Sequence, residues 1–171
     1  MIEVAPKPSA MVKIGVVSDT HGYFHPRLPA VLKEVSLILH AGDVGRTEVI
    51  QKLERIAPVQ AVRGNMDGGL RPPRFPLRRL VQVEQVAILM THFGLWSAEL
   101  KTWLQGEHGL ERPDVFVYGH SHRAGQRWED GTLYFNPGTA GRSRVSVGPS
   151  VGVLSVHDTE VVGHIIPLRP P

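Results

Sequence analysis

With 171 residues, 42% of them hydrophobic and 20% charged, the chain is long enough for one domain with its own core and too apolar to be disordered. It has no cysteine, which excludes disulfides and thiolate metal sites, and no apolar run reaches the length of a membrane span. The formal net charge of +3 leans toward anionic ligands but is too small to argue for nucleic-acid binding by itself.

Residues 1–10 hold two prolines and no period, and read as a flexible N-terminal extension, with Met11 as a second candidate start. Residues 11–171 read as one domain. The lack of both a leader-like segment and cysteine points to the cytoplasm. Val12, Ile14, Val16 and Val17 form a β-branched run, the mark of a buried strand, which Ser18 to Gly22 then breaks. Pro26 opens a short helix over 27–34 that carries Pro29. Residues 36–40 (S-L-I-L-H) are a second buried strand, leaving through Ala41, Gly42 and Asp43. Over 47–57, Val49, Ile50, Leu53, Ile56 and Ala57 form one helical face opposite Gln51, Lys52, Glu54 and Arg55, and Pro58 stops the helix. A third strand, 59–62, leaves through Arg63, Gly64, Asn65, Met66 and Asp67. This β-α-β-α-β order predicts parallel strands with right-handed crossovers.

Strands over 80–83 and 86–90 flank a turn at Glu84 and Gln85, and the second leaves through Thr91 and His92. Trp96, Leu100, Trp103 and Leu104 mark a helical stripe expected to pack into a core. Strand 115–118 leaves through Gly119, His120, Ser121 and His122. Short strands at 127–128, 133–135, 151–156 and 161–166 then follow at the spacing of antiparallel pairs. The chain is thus α/β, with two packed sheets and helices outside.

In open α/β sheets, ligands bind beyond the carboxyl ends of the strands. Here five strand exits carry Asp19-x-His21, Gly42-Asp43, Gly64-Asn65-x-Asp67, Thr91-His92 and Gly119-His120-x-His122. Asp19 and His21, two apart in an extended segment, share one side. If the exits converge, Asp19, Asp43, Asn65, His21, His92, His120 and His122 exceed the four donors of one tetrahedral ion. They fit two ions with one carboxylate shared, and nitrogen and oxygen donors suit Mn, Fe, Co or Zn. The glycines before Asp43, Asn65 and His120 let the backbone come close to the centre. His40, inside a buried strand, either orients a ligand or is a satisfied core residue. His25, His108, His157 and His164 read as structural. Arg71, Arg74, Arg78 and Arg79 read as a solvated surface or the edge of a phosphate site.

The blocks S-D-T-H-G (18–22), H-A-G-D (40–43), R-G-N-M-D (63–67), T-H (91–92), G-H-S-H (119–122) and N-P-G-T (136–139) together resemble the calcineurin-like metallophosphoesterases. The nearest resemblance is to their small bacterial and archaeal phosphodiesterase branch. It implies a four-layer αββα sandwich of two mixed sheets with a two-metal centre at one end. One ion would take Asp19, His21, Asp43 and His122; the other would take Asp43, Asn65, His92 and His120, with Asp43 bridging. The implied cofactors are two divalent metal ions, Mn first, with Fe, Zn, Co or Ni as alternatives. The implied reaction is in-line attack on a small phosphoester by a hydroxide between the ions, with Asp43, Asn65 and His92 catalytic. Asn65, Arg142 and Arg144 would bind the phosphoryl oxygens. Alternatives on the same fold are a nuclease, a phosphomonoesterase and a non-catalytic scaffold. A homo-oligomer stays open, and no membrane partner is expected. Two positions depart from the pattern. Met66 stands where many relatives carry a proton-donating His, and Phe93 stands in a block that often reads T-H-G-H.

Overall fold

The computed structural model describes residues 10–68, 74–142 and 148–168. Apart from Ala10, the expected N-terminal extension lies outside these residues, as do Arg71 and Arg144. Strand β1 (Val12–Val17) sends Ile14 and Val16 to one face and Val17 to the other, all fully buried. A strand covered on both faces belongs inside a layered α/β sheet. The chain continues through α1 (Leu28–Val31), β2 (Leu37–His40), α2 (Thr47–Glu54) and β3 (Val59–Ala61). The helix expected over 27–34 is a single turn. Pro29 is tolerated in that first turn, where its missing N–H would have had no partner. The helix ends because Ser36 N–H must already bond Lys13 O at 2.8 Å to start β2.

Next come β4 (Arg78–Val83), β5 (Val86–Thr91), α3 (Ala98–His108), β6 (Val115–Val117), β7 (Gly125–Glu129), β8 (Thr132–Asn136), β9 (Ser150–His157) and β10 (Glu160–Pro167). Helix α3 is capped at both ends. Ser97 Oγ accepts from Leu100 N–H at 3.2 Å, and Gly109 closes the C-terminus at φ 67°. Trp96 therefore precedes the helix rather than sharing its stripe, but still packs with Leu100 and Phe116.

The strands form two five-stranded sheets, ordered β10-β9-β1-β2-β3 and β4-β5-β6-β8-β7. In the first, β1, β2 and β3 are parallel, with β9 and β10 antiparallel at one side. In the second, β5, β6 and β8 are parallel, and β4 and β7 are antiparallel edges. The expectation of antiparallel pairing after residue 122 holds for β7 with β8 and for β9 with β10. It fails for β8, which also pairs parallel with β6.

Ile14, Val16, Leu39, Ile88, Val117 and Phe135 belong to the core shared by the two sheets. Leu28, Leu32, Val49, Ile50 and Leu53 cover the outer face of the first sheet, and Leu100 with Leu104 belongs to the cover of the second. Each fully buried aliphatic contributes roughly 1.5–3 kcal/mol relative to exposure. The result is the four-layer αββα sandwich. Among the described residues, no helix is long and apolar enough to cross a membrane.

Register is what places the functional end. Val17 lies opposite His40 and His40 opposite Ala61, so β1, β2 and β3 finish level with one another. Met90 lies opposite Val117 and Val117 opposite Phe135, so β5, β6 and β8 do the same. Every loop that carries a candidate donor therefore leaves from the same end of a sheet.

Candidate metal centre

The exits of β1 and β2 are zipped together by backbone bonds. Asp19 N–H donates to Gly42 O at 3.0 Å, His21 N–H to Asp43 O at 2.9 Å and Gly22 N–H to Val44 O at 2.7 Å. Asp19, His21, Asp43, His120 and His122 all take positive φ, between 47° and 65°. Asp19 and His21 therefore do not lie on one side of an extended segment, as their spacing suggests. The strand has already ended, and a left-handed backbone aims both side chains at the centre. For L-residues that conformation costs about 1–2 kcal/mol each, so surrounding contacts must impose it.

The donors fall into two halves. In the first, His21 Nε2 and His122 Nε2 are 3.1 Å apart. Asp19 Oδ1 lies 3.2 Å from His122 Nε2 yet is buried without a hydrogen bond. The other oxygen, Asp19 Oδ2, accepts from Ser18 Oγ at 2.6 Å and from His120 N–H at 3.1 Å. In the second half, Asn65 Oδ1 is 3.0 Å from His92 Nε2 and 3.2 Å from His120 Nδ1. Asp43 Oδ2 stands between the halves, 3.5 Å from His92 Nε2 and 4.0 Å from His21 Nε2. The donor atoms of Asp19, His21 and His122 lie within 4.8 Å of one another, as do those of Asp19, Asp43 and His92.

This arrangement asks for positive charge. His92 Nδ1–H donates to Ala41 O at 2.8 Å, so the neutral ring turns the Nε2 lone pair toward Asn65 Oδ1, which is itself an acceptor. Two acceptors at hydrogen-bond distance need a proton or an ion between them. Burial pushes the His92 pKa down, but the bonds to Asp43 and Ala41 outweigh it and hold the imidazole above its usual value. Burial likewise opposes ionisation of Asp43, yet His92 and the Met66 N–H hold that carboxyl below the usual range. The Met66 N–H to Asp43 Oδ1 bond is 2.8 Å. Ionised carboxylate, imidazole and amide oxygen, with a buried oxygen left without a donor, fit a divalent cation.

Residues 12–159 match the calcineurin-like phosphoesterase superfamily domain. The chain belongs to the calcineurin-like phosphoesterases. It is 32% identical over 163 residues to a probable metallophosphoesterase of Methanothermobacter thermautotrophicus, covering 90% of this chain and 91% of that protein. It is 27% identical over 169 residues to a phosphodiesterase of Methanocaldococcus jannaschii, covering 87% and 96%. Among solved structures, vacuolar protein sorting 29 of Cryptosporidium parvum superposes with a TM-score of 0.74 at 22% identity, covering 93% of this chain and 92% of that one.

Several residues that brace this candidate centre carry no assigned role in the sequence. The Asp67 carboxylate accepts N–H bonds from Gly64 (2.9 Å), Gly45 (3.0 Å) and Val44 (3.2 Å), tying the exits of β2 and β3 together. Its place in the R-G-N-M-D block was the available signal. Thr139, from the N-P-G-T block, donates to Asp19 O at 2.8 Å, and Asn136 Nδ2 donates to Gly119 O at 3.0 Å. A Cβ on Gly64 would overlap the Asp43 carboxylate, and one on Gly119 would overlap Ser18 Oγ and Asp19 Oδ2. The close approach expected at those glycines is to the donor side chains themselves.

Among the described residues, His40 hydrogen-bonds no candidate ligand. Thr20 Oγ1 gives its proton to Val44 O at 3.0 Å, so it accepts from His40 Nε2–H, also at 3.0 Å. Burial lowers the His40 pKa to about 4, against the opposing pull of Asp67 and Asp43. The neutral ring braces the residue between Asp19 and His21. Phe93 stands with its ring 4.6 Å from His120 and 5.2 Å from His92, walling one side of the centre. On the other side opens a cleft of about 710 Å³ lined by Thr20, His21, Gly22, Tyr23, Arg46, His122 and Arg142. Arg142 thus lies beside the donors, whereas Arg144 is outside the described residues. Arg46 and Tyr23 join it with no sequence signal beyond their nearness to His21 and Asp43.

Proposed function

We propose that this metal-dependent phosphoesterase is a phosphodiesterase with a dinuclear centre. Asp19, His21, Asp43 and His122 would hold one ion and Asp43, Asn65, His92 and His120 the other, with Mn²⁺ first and Fe, Zn, Co or Ni as alternatives. The observation that carries the reading is the position of Asp43 Oδ2, between the imidazoles of His21 and His92. A relative named as a phosphodiesterase supports the choice of diesters.

Bound there, divalent ions supply an acidified water and neutralise charge on the phosphoryl oxygens. The chain's own residues do the rest. Met66 N–H and His92 keep Asp43 ionised, so it stays a donor at neutral pH. Ala41 fixes the His92 tautomer that leaves Nε2 free to ligate. Asn65 turns its oxygen toward His92 and His120, which leaves its NH₂ to donate to a phosphoryl oxygen. Arg142, in the adjoining cleft, adds a guanidinium for the substrate. Met66 carries no proton to give a departing alkoxide. Loss of such a donor costs on the order of 10²–10⁴ in rate for poor leaving groups. Aryl diesters should therefore be the best substrates.

The test is a screen of the metal-reconstituted protein against an aryl phosphodiester, an aryl phosphomonoester and a labelled oligonucleotide. A higher kcat/KM for the diester supports the reading. Turnover of the monoester alone, or of the oligonucleotide alone, assigns the centre to the corresponding alternative. No turnover with any of the five metals leaves a binding scaffold.

A further inference from the structure

Resting on that phosphoesterase reading, we propose that the cleft beside His21 and His122 is a second anion subsite. The substrates are then small phosphoesters that carry a second phosphate. The cleft shares a wall with the metal centre, because His21 and His122 line it. A phosphoryl group held at the centre can therefore extend its non-reacting arm along this wall. The lining includes two arginines and no carboxylate. Elsewhere on the surface Arg78, Arg112 and Arg127 are paired with Glu99, Asp130 and Glu129. Among the described residues no carboxylate is paired with Arg46 or Arg142, as none is with Arg74 or Arg79, but those two bond Thr47 and Gln60 instead.

Both arginines are positioned before any ligand arrives. Arg46 lies across Gly22, where an added Cβ would sit 2.9 Å from Arg46 Cγ and 3.3 Å from Nε. Gly22 is at φ +80°, so the chain needs glycine there for its backbone as well as for the arginine's path. Arg142 holds its guanidinium 5.2 Å from the centre of the Tyr23 ring. A guanidinium fork matches phosphate oxygens two at a time, and a pre-positioned one loses less freedom on binding.

The two arginines come from different loops, Arg46 after β2 and Arg142 after β8, so an anion between them is gripped from two sides. A space of about 710 Å³ exceeds what one phosphate needs and lies in the range of small-molecule sites. The arginines beyond Pro73 do not extend it into a track for a polymer. Arg74 bonds Thr47 Oγ1, Arg78 bonds Glu99 and Arg79 bonds Gln60.

Two measurements test the proposal. In the first, ³¹P line broadening follows inorganic phosphate binding to chelator-treated protein, parent against the Arg46→Gln/Arg142→Gln double variant. Binding weakened tenfold or more in the variant supports the subsite; equal binding overturns it. In the second, the metal-loaded protein hydrolyses the nitrophenyl ester of a nucleoside 5′-phosphate with and without a 3′-phosphate. The parent should favour the 3′-phosphorylated ester by on the order of tenfold, and each single variant should bring that ratio toward one. A parent that ignores the 3′-phosphate overturns the substrate assignment. A preference that keeps growing with oligonucleotide length, with a steep salt dependence, overturns the small-molecule part in favour of a nucleic-acid strand. Arginine-dependent phosphate binding without turnover of either ester supports the subsite and counts against the phosphoesterase reading.

Discussion

His21 Nε2 and His122 Nε2 face each other at 3.1 Å although 101 residues separate them along the chain. Asp19 Oδ1 adds a third electron-rich atom, 3.2 Å from His122 Nε2. A proton on one ring nitrogen or a shared cation relieves such a cluster. A divalent ion at about 100 times its Kd adds roughly 2.7 kcal/mol of stability, which for a chain of this size raises Tm by roughly 5–10 °C. The shift should shrink by more than half in His122→Ala. Thermal melts with and without chelator decide it, and an equal shift in parent and variant would place the ion elsewhere.

Asp43→Asn should cost more activity than Asp19→Asn. Asp43 Oδ2 is the carboxylate oxygen within 4.0 Å of both His21 and His92 Nε2. In the proposed two-ion centre, losing the shared ligand would disturb both ions at once. The difference should be roughly 10- to 100-fold, the scale on which even outer partners of metal ligands act. Equal losses, with metal content measured for both variants, would take the bridging role from Asp43.

Met66→His should raise turnover selectively for poor leaving groups. Met66 is 64% exposed, and its N–H bonds Asp43 Oδ1 at 2.8 Å, so residue 66 is next to the centre with room for an imidazole. A ring there would titrate near neutrality and protonate a departing alkoxide. The ratio of kcat/KM for alkyl over aryl diesters should rise by on the order of tenfold or more. An unchanged ratio, with metal content equal to the parent's, would mean the proton comes from another group.

His40 should make the metal-free fold acid-sensitive. Its pKa is about 4 in the fold against 6.5 unperturbed. Above pH 6.5 the ring is neutral in both states and its contribution is complete. Between 6.5 and about 4 the unfolded chain takes up a proton that the folded chain refuses, so stability falls with pH. The loss totals roughly 3 kcal/mol once the pH is below 4. Denaturant melts of parent and His40→Gln across this window should differ in slope, with the variant flatter. Parallel curves would show that His40 is not the group responsible.

The strands and the exits were legible in the sequence because each is a local pattern. A β-branched run ends in glycine and a polar donor, and parallel registers then bring the ends level without further information. The extent of α1 was not legible, because the Lys13 to Ser36 bond that cuts it short joins residues far apart in sequence. The parallel pairing of β8 with β6 was hidden for the same reason. Within the site, the candidate residues that the fold brings together could be read, but the left-handed loops could not, since Asp and His do not announce positive φ as glycine does. Asp67 resembled one more exit carboxylate until its three N–H partners were seen. Arg46 looked like an ordinary residue at the start of a helix. Only the folding of the β1 and β2 exits onto each other puts it beside His21.

The left-handed backbone at Asp19, His21, Asp43, His120 and His122 also bears on how this centre persists through evolution. Glycine is the residue that relaxes such a position, and replacement by glycine deletes the donor in the same stroke. Drift without selection for metal would then favour the apo fold at each step instead of resisting it. A lineage that abandoned the chemistry would be expected to accumulate glycine at these positions while keeping Asp67 and the core. At each of these five candidate donors, the substitution that relaxes the backbone is thus the one that removes the side chain.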